Sequence, residues 1–345
     1  MKIVGCDFHP SHQQVSIFDT STGEVQELKL LHVEQAVEFY RGLQEPALIG
    51  MEAVGNSRWF EQAVADLGHE LWIGDAAQIR ASYVRRQKTD RRDAGHILTL
   101  LLEKRFPRIW VASETERDQR QLLPHRHRLV QIRTRIKTEL QHLALNQGVQ
   151  KKSALWSVAG MEQLKNLPLK GWSGCRRRDL LRLLEMLEQQ VTALDVAVER
   201  TARSNANARL LMTQPGVGPV TALAFAVTIG DVSRFPRGKQ VASYLGLIPT
   251  ERSSGTKRRL GAISKQGNVF LRTMLVEAAQ SAVRHDETFR REYLHRCHKK
   301  PKGVAKVAAA RKLAVRLYWM LRTQQPYAQA VHNEGSPGHS VVGAS

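Results

Sequence analysis

The sequence predicts an α/β fold in its first third and a mainly α-helical fold in the remainder. Short apolar runs of strand length alternate with helical spacings over residues 1–112, which is typical of mixed α/β domains. Helical spacing dominates after that point. The chain has 345 residues, about twice the ~150 residues of a typical domain, so two domains with a connecting element are expected.

Changes of pattern along the chain predict the domain boundaries. Residues 1–112 form the α/β domain, residues 113–204 a helical linker, and residues 205–325 a mainly helical C-terminal domain. Residues 326–345 are rich in glycine, serine, histidine and proline, and chain ends of that composition are commonly disordered. We therefore expect a disordered tail.

Five strands are predicted in the first domain, each a short apolar or alternating run. They cover residues 3–6, 15–18, 25–30, 47–51 and 70–73. The first three make an antiparallel meander. A helix over 34–43 follows the third strand, and a second helix begins after the cap residue Ser57 and ends at Gly68. This order of strands and helices is that of ribonuclease-H-like domains.

A coiled-coil seam is predicted in the linker. Apolar residues repeat there at 4-3-4-3-4 spacing, namely Leu180, Leu184, Leu187, Val191, Leu194 and Val198. Leu129, Ile132, Ile136 and Leu143 suggest a partner seam. The two seams fit either an antiparallel hairpin within one chain or a surface that also joins two chains. Residues 146–178 break the period and make a connection or a small inserted element.

Composition favours a nucleic-acid partner. Lysine and arginine outnumber aspartate and glutamate by 52 to 32, a net charge of +20, and such an excess is usually offset by a polyanion. No apolar stretch approaches the ~20 residues of a membrane span, so no membrane association and a cytoplasmic location are expected. The three cysteines are far apart, which supports neither a disulfide framework nor a zinc site.

Four carboxylates are candidates for a metal centre. Asp7 follows the first predicted strand and Glu52 the fourth, so both emerge at one end of the sheet if those strands are neighbours. Asp90 and Asp93 lie three apart at the start of a helix and share one face. Clustered carboxylates repel one another, and a bound cation removes that repulsion. Oxygen ligands suit Mg²⁺ or Mn²⁺, and a pair of such ions can promote phosphoryl transfer.

Each acid also has an ordinary structural explanation. Asp90 can be a helix N-cap, Asp93 a partner of the helix dipole, Glu52 a surface acid and Asp7 a turn former at a strand end. Acids at the ends of secondary-structure elements are common, so each explanation is adequate for its own residue. The placement of all four together favours the metal centre.

Two segments of the C-terminal domain are candidates for DNA contact. Residues 215–218 resemble a helix-hairpin-helix turn, in which the amides of Gly216 and Gly218 hold a phosphate. Residues 244–268 form a glycine-rich, hydroxyl-rich and basic loop that carries Ser253 and Ser254 and leads into a helix over residues 269–272, and several cations lie along this stretch. The cations are Lys257, Arg258, Arg259, Lys265 and Arg272. This loop either grips phosphate or also supplies a serine nucleophile, which needs a base or metal and nearby cations.

Taken together, the motifs of this chain resemble a known family. They are Gly5-Cys6-Asp7, Met51-Glu52-Ala53-Val54-Gly55, Lys88-Thr89-Asp90-Arg91-Arg92-Asp93-Ala94, Pro215-Gly216-Val217-Gly218, Tyr244-Leu245-Gly246-Leu247-Ile248-Pro249, Ser254-Gly255 and Ser264-Lys265-Gln266-Gly267-Asn268. In this order and at this spacing they resemble the DEDD transposases of the insertion sequence 110 family (IS110/IS116/IS902). Those proteins are also called bridge recombinases, and the Piv-type invertases are their relatives. The resemblance covers nearly the whole chain.

The resemblance implies a fold and a chemistry. It implies a RuvC-like, ribonuclease-H-fold domain, a coiled-coil linker and a C-terminal transposase domain. The acid quartet Asp7, Glu52, Asp90 and Asp93 would bind Mg²⁺ (or Mn²⁺), and Ser254 would be the nucleophile, with Ser253 beside it as the local ambiguity. It further implies a homo-oligomer, a dimer or a tetramer, in which the acids of one protomer face the serine of another.

The resemblance also implies the nucleic-acid partners. A noncoding guide RNA would select the donor and target DNA by base pairing, while the protein contacts mainly backbone and A-form shape. Basic residues of the linker are candidates for that contact, although a solvated basic face would look the same. They are Arg126, Arg128, Arg133, Arg135 and Lys137.

Three functional hypotheses follow. The first is a recombinase that cuts and rejoins DNA through a serine–phosphate link and needs no ATP, since the chain lacks a GxxxxGK[ST] loop. The second is a metal-dependent, structure-specific nuclease in which water attacks the phosphate. The third is an RNA- or DNA-binding protein with a degenerate metal site.

Overall fold

The computed structural model describes residues 1–83, 90–150, 153–253 and 259–328. It divides into two compact units, Met1–Val111 and the remainder from Ala112 onward. The first unit contains a mixed sheet and the second is largely helical. The predicted class, α/β followed by mainly α, is confirmed at this level.

Unit 1 is built on a five-stranded sheet of order β3-β2-β1-β4-β5. The strands are β1 (Lys2–Phe8), β2 (His12–Asp19), β3 (Val25–Leu31), β4 (Leu48–Glu52) and β5 (Glu70–Gly74). The first three pair antiparallel, whereas β4 is parallel to β1 and β5 is parallel to β4. The helices are α1 (Glu34–Arg41), α2 (Arg58–Asp66), α3 (Ala76–Ala81) and α4 (Asp90–Leu102).

Alternating side chains give the sheet of unit 1 two apolar faces. Val4, Cys6 and Phe8 point to a cluster that includes residues of α1 and α2. The intervening positions of β1 point to the opposite face, where Gly5 lies under α4. A Cβ atom at Gly5 would lie 2.3 Å from the Ala94 carbonyl oxygen. The missing side chain therefore lets α4 approach the centre of the sheet.

Replacement of Gly5 by Ala is expected to destabilise unit 1. The added methyl group would meet backbone atoms of α4, which cannot move without displacing the whole helix. Overpacking of this kind costs about 1–3 kcal/mol. The measurement is urea denaturation. Gly95→Ala is the matched control, because a Cβ atom at this α4 position would meet nothing within 4 Å, and it should stabilise the helix slightly. Equal stability of the two variants would contradict this account.

Unit 2 contains nine α-helices, two short 3₁₀ helices and one two-stranded sheet within the described residues. The α-helices are α5 (Glu114–Leu145), α6 (Val158–Lys165), α7 (Gly171–Ser204), α8 (Ala206–Leu211), α9 (Pro219–Ile229), α10 (Gly238–Tyr244), α11 (Val269–His285), α12 (Glu287–Lys299) and α13 (Lys302–Thr323). The strands β6 (Pro249–Glu251) and β7 (Leu260–Ile263) pair antiparallel. Among the described residues, no helix combines the length and apolar character that a membrane span requires.

Helices α5 and α7 form an antiparallel hairpin within the chain. Ion pairs cross it in reversed order: Lys137 Nζ lies 2.7 Å from Glu188 Oε1, and Arg126 pairs with Asp195 further along. The described part of the segment 146–178, predicted as a connection or a small inserted element, includes α6 and packs at the end of the hairpin. Its Leu155, Leu164 and Leu167 share a core with α5 and α7, so the segment belongs to the hairpin.

A buried ion pair joins α13 to the start of α12. Arg316 Nη1 lies 3.1 Å from Asp286 Oδ2, and both side chains are only 3% exposed. Tyr327 OH donates to the same oxygen at 2.7 Å, and the Phe289 amide donates to Asp286 Oδ1. Tyr327 lies inside the predicted disordered tail, so packing extends past residue 325. Residues 329–345 of that tail lie outside the described residues.

Replacement of Asp286 by Asn is expected to destabilise the protein by about 3–5 kcal/mol at neutral pH, because it removes the negative charge that pairs with the buried Arg316 guanidinium. Burial alone would raise the pKa of Asp286, but the Phe289 and Tyr327 hydrogen bonds and the Arg316 charge together lower it. The stabilisation is thus complete above the unfolded-state pKa of about 3.9 and is lost as pH falls through the lower folded-state pKa.

The measurement is urea denaturation of wild type and variant at neutral and acidic pH. The difference in unfolding free energy should shrink in acid. Glu287→Gln, at the exposed neighbouring position, should change stability by less than about 0.5 kcal/mol. A difference between Asp286→Asn and wild type that is independent of pH would contradict the assignment.

Candidate active site

Asp7 and Glu52 lie at the ends of neighbouring parallel strands. Because β1 pairs in parallel with β4, the two acids reach the same edge of the sheet. Side chains two positions apart in a strand share a face, and Gly5 and Gly50, two residues before each acid, both contact α4. The structure therefore places both carboxylates on the face that α4 covers.

The first turn of α4 brings Asp90 and Asp93 to the same edge. Ala94, the residue after Asp93, packs over Gly5 of β1, so the start of the helix lies beyond the centre of the sheet, towards Asp7. Asp93 is only 5% exposed, and Tyr83 OH donates to its Oδ1 at 2.5 Å. The tyrosine holds this buried carboxylate in place.

Basic side chains connect the acids to one another and to α3. His9 Nε2 lies 3.0 Å from Asp7 Oδ2 and 3.5 Å from Asp90 Oδ2, so one imidazole bridges two of the four carboxylates. Arg80 Nη2 on α3 donates to Glu52 Oε1 at 3.1 Å. These contacts balance part of the negative charge of the cluster.

The acids affect one another electrostatically. Burial raises the pKa of Asp7; the nearby His9 lowers it, and the charges of Asp93 and Asp90 raise it again, so the net shift is upward. The pKa of Tyr83 is raised mainly by burial, then by Asp93, Asp7 and Glu52. Asp7 thus interacts with Asp90 and Asp93, and Tyr83 interacts with Asp93, Asp7 and Glu52; a bound cation would relieve the repulsion between the carboxylates. Their oxygen atoms suit a hard divalent ion.

Sequence reasoning missed the residues that surround the quartet. His9, His12 and Tyr83 were not candidates, although all lie beside the acids. The two histidines follow Asp7 closely and are three positions apart, a spacing that could have flagged metal ligands. Nothing in the sequence marks Tyr83, because its contact with Asp93 depends on the position of α4.

The predicted serine loop contains both strands of the β6–β7 hairpin. Ser253 follows β6, where its hydroxyl donates to Glu251 Oε1 at 2.7 Å and accepts from the Arg259 amide at 3.2 Å. Ser253 thus helps to close the hairpin, and the Arg259 side chain is exposed. The predicted residues Ser254, Lys257 and Arg258 lie outside the described residues.

Arg272, one of the predicted phosphate contacts, lies inside unit 2. It is only 8% exposed, and its Nη1 donates to the Leu245 and Gln266 carbonyl oxygens. The guanidinium therefore satisfies backbone oxygens inside unit 2, and a contact between Arg272 and phosphate stays a prediction. Lys265, in contrast, is exposed and has a positive φ of 56°. It precedes Gln266, whose carbonyl oxygen accepts the hydrogen bond from Arg272.

The two glycines of the predicted phosphate turn differ from each other. Gly216 has φ +86°, and a Cβ atom there would lie 2.3 Å from the Ala282 nitrogen of α11. Close packing against α11 therefore accounts for this glycine. Gly218 is exposed at the N-cap of α9, with nothing within 4 Å of its Cβ position. A phosphate contact stays a prediction, and Gly218 is the more accessible of the two.

The basic residues predicted on the linker divide into two groups. Arg126 and Lys137 are engaged in the hairpin through Asp195 and Glu188. The remaining three lie on α5 and have no ion pair within the described residues; they are Arg128, Arg133 and Arg135. Arg128 and Arg135 are exposed and seven positions apart, so they lie on one face of the helix.

Comparison with protein families identifies the chain. The model described as "Transposase IS116/IS110/IS902 family" matches residues 208–294. A second model, described as a transposase and named for the DEDD transposases of IS110, matches residues 4–147, which contain the acid quartet. A relative in Pseudomonas aeruginosa, named "Probable family 20 transposase", is 30% identical over 300 residues, or 84% of this chain and 88% of the relative. The chain belongs to the IS110 family of DEDD transposases.

Two further relatives of this DEDD transposase carry the names of insertion sequences. The transposase for insertion sequence element IS1111A of Coxiella burnetii is 27% identical over 338 residues, which is 95% of this chain and 91% of the relative. The transposase for IS1328 of Yersinia enterocolitica is 27% identical over 299 residues, covering 81% of this chain and 84% of the relative. The predicted enzyme class, a DNA transposase of an insertion sequence, is confirmed, and the family implies a divalent metal ion.

Proposed function

We propose that this transposase cuts and rejoins DNA through a serine–phosphate intermediate. Asp7, Glu52, Asp90 and Asp93 hold Mg²⁺ (or Mn²⁺), and Ser254 is the nucleophile. The observation that carries the metal part of the proposal is the placement of Asp7 and Glu52 at the ends of neighbouring parallel strands, with the start of α4 and its two acids at the same edge of the unit 1 sheet, in a chain with a net charge of +20. Four neighbouring carboxylates repel one another, so their placement together is costly unless a cation binds them.

The residues around the quartet have separate tasks in this proposal. Tyr83 orients the buried Asp93 by donating a hydrogen bond, and Arg80 orients Glu52. His9 contacts Asp7 and Asp90, which reduces their repulsion before an ion binds. A bound divalent cation would supply Lewis-acid activation of the phosphate and of the attacking oxygen. The protein fixes the ligand positions in advance.

The chemistry conserves the energy of the phosphodiester. The Ser254 oxygen forms a bond to phosphorus, its proton passes to a base, and the sugar oxygen leaves as a hydroxyl after taking up a proton. Attack by a second DNA hydroxyl on the phosphoserine reverses these steps and releases the serine. Exposed Lys265 and Arg259 on neighbouring segments can balance the extra negative charge of the transition state.

The finer predictions about fold and partners belong to the same proposal. The sheet order β3-β2-β1-β4-β5, with a meander followed by two parallel strands, supports a RuvC-like domain. The antiparallel α5–α7 hairpin supports the coiled-coil linker, and its exposed Arg128 and Arg135 support contact with DNA or a guide RNA. We propose donor and target DNA, a noncoding guide RNA and a homo-oligomer, dimer or tetramer, as the assembly.

A covalent adduct tests the proposal against the nuclease alternative. The protein is coexpressed with the noncoding DNA that flanks its gene, purified with bound RNA, and incubated with labelled DNA of the element junction and Mg²⁺. A serine–phosphate link gives a protein–DNA band that survives denaturant and is absent with chelator. Metal-dependent cleavage without any such band would favour attack by water and overturn the serine mechanism.

A further inference from the structure

Two histidines face the same carboxylate beside the acid quartet. His9 Nε2 and His12 Nε2 lie 3.5 Å and 3.6 Å from Asp90 Oδ2. Their rings stack with centroids 4.7 Å apart and planes inclined by 22°. One ligand atom from each of the three side chains lies within 4.8 Å of the others, so small rotations would bring all three onto one ion.

The turn between β1 and β2 fixes the two imidazoles. The His9 amide donates to the His12 carbonyl oxygen at 2.9 Å, which closes the turn around Pro10 and Ser11. Ser11 Oγ lies 3.2 Å from His12 Nδ1 and can accept a hydrogen bond from that nitrogen. Metal-bound histidines commonly donate their second ring nitrogen in this way. The His12 Nε2 lone pair is then directed towards Asp90.

The His12 Nε2 atom is available to bind a metal ion. It is buried and has no hydrogen-bond partner among the described residues, and its distance from Asp90 is just beyond hydrogen-bond range. Buried polar atoms are nearly always paired. An ion between His12 and Asp90 would satisfy this nitrogen without any change in the backbone.

The ligand types define the class of ion. Two imidazole nitrogens and one carboxylate oxygen suit zinc or cobalt, whereas magnesium prefers oxygen ligands alone. We propose that His9, His12 and Asp90 bind a transition-metal ion of the zinc and cobalt class, separately from the magnesium ions of the quartet. The inference rests on the proposed function only in that Asp90 is shared. Water would complete the coordination.

Cobalt(II) is the probe, because its visible absorption reports nitrogen ligands in a site of low coordination number. Chelator-treated, full-length protein is titrated with Co²⁺, and Zn²⁺ is then added to displace it. We expect a saturable absorption band that Zn²⁺ removes. His12→Ala should weaken Co²⁺ binding by about 10–100-fold or more, as does loss of metal-site support elsewhere. His125→Ala, at an exposed position of α5, is the matched control and should bind as wild type.

His9→Gln is a second variant, at a partly exposed position, and should also weaken the band. An unchanged Co²⁺ affinity in both histidine variants, or no band in the wild type, would overturn the inference. Glu52→Gln separates it from the proposed function, because this variant should lose Mg²⁺-dependent cleavage and keep the Co²⁺ band. Loss of the band in Glu52→Gln would show that Co²⁺ occupies the quartet instead.

Discussion

Asp7→Asn is expected to abolish Mg²⁺-dependent DNA cleavage, with a loss of at least about 10³-fold, or about 4 kcal/mol of transition-state stabilisation. Asp7 lies at the end of the central strand β1, where it shares an electrostatic field with Asp90 and Asp93. An amide of the same shape keeps the packing but removes the charge that holds the ion. The measurement is the rate of cleavage of labelled junction DNA on a denaturing gel.

The stability of this variant distinguishes lost chemistry from lost folding. Because the pKa of Asp7 is raised in the fold, its ionised form opposes folding as pH rises above the unfolded-state pKa. Asn removes that cost, so the metal-free variant should be at least as stable as wild type. Asp66→Asn is the control, an exposed acid at the end of α2, and should cleave normally. Normal cleavage by Asp7→Asn would refute its role as a ligand.

Ser254→Ala is expected to remove the covalent protein–DNA adduct and to reduce strand transfer by at least about 10³-fold, as removal of a nucleophile does in serine enzymes. DNA binding should persist, because the substitution removes only the hydroxyl group that attacks the phosphate. The measurements are the denaturant-resistant band, strand exchange and a mobility shift on the same preparation.

Ser253→Ala is the matched control for the adjacent hydroxyl. Ser253 contacts Glu251 and the Arg259 amide, so its loss should loosen the hairpin and slow the reaction, yet the adduct should still form. Mass spectrometry of the trapped peptide locates the phosphate. An adduct that persists in Ser254→Ala and disappears in Ser253→Ala would move the nucleophile by one residue.

Strand-end positions in the sequence were sufficient to predict that Asp7 and Glu52 lie at the same edge of the sheet. Asp7 and Glu52 each end an apolar run, and parallel pairing of those runs brings the two carboxylates to one edge. Helical periodicity alone does not predict where Asp90 and Asp93 lie relative to the sheet, because their position depends on how closely α4 approaches Gly5. Tertiary packing of this kind leaves no local pattern in a sequence.

Two residues show what tertiary packing adds to the sequence reading. Arg272 looks like a free cation next to a basic loop, but carbonyl oxygens that the loop leaves unpaired draw it into unit 2. Gly216 looks like a phosphate-binding residue, although contact with α11 is what demands a glycine. The Ala282 partner of Gly216 and the Leu245 partner of Arg272 lie far along the chain, so local composition carried no information about them.

Anomalous scattering from crystals grown with Mn²⁺ tests the metal centre most directly. The account predicts at least one strong anomalous peak within coordination distance of carboxylate oxygens from both strand-end acids, Asp7 and Glu52, and from the α4 pair, Asp90 and Asp93. Well-occupied Mn²⁺ peaks elsewhere, with these four carboxylates uncoordinated in an active preparation, would contradict it.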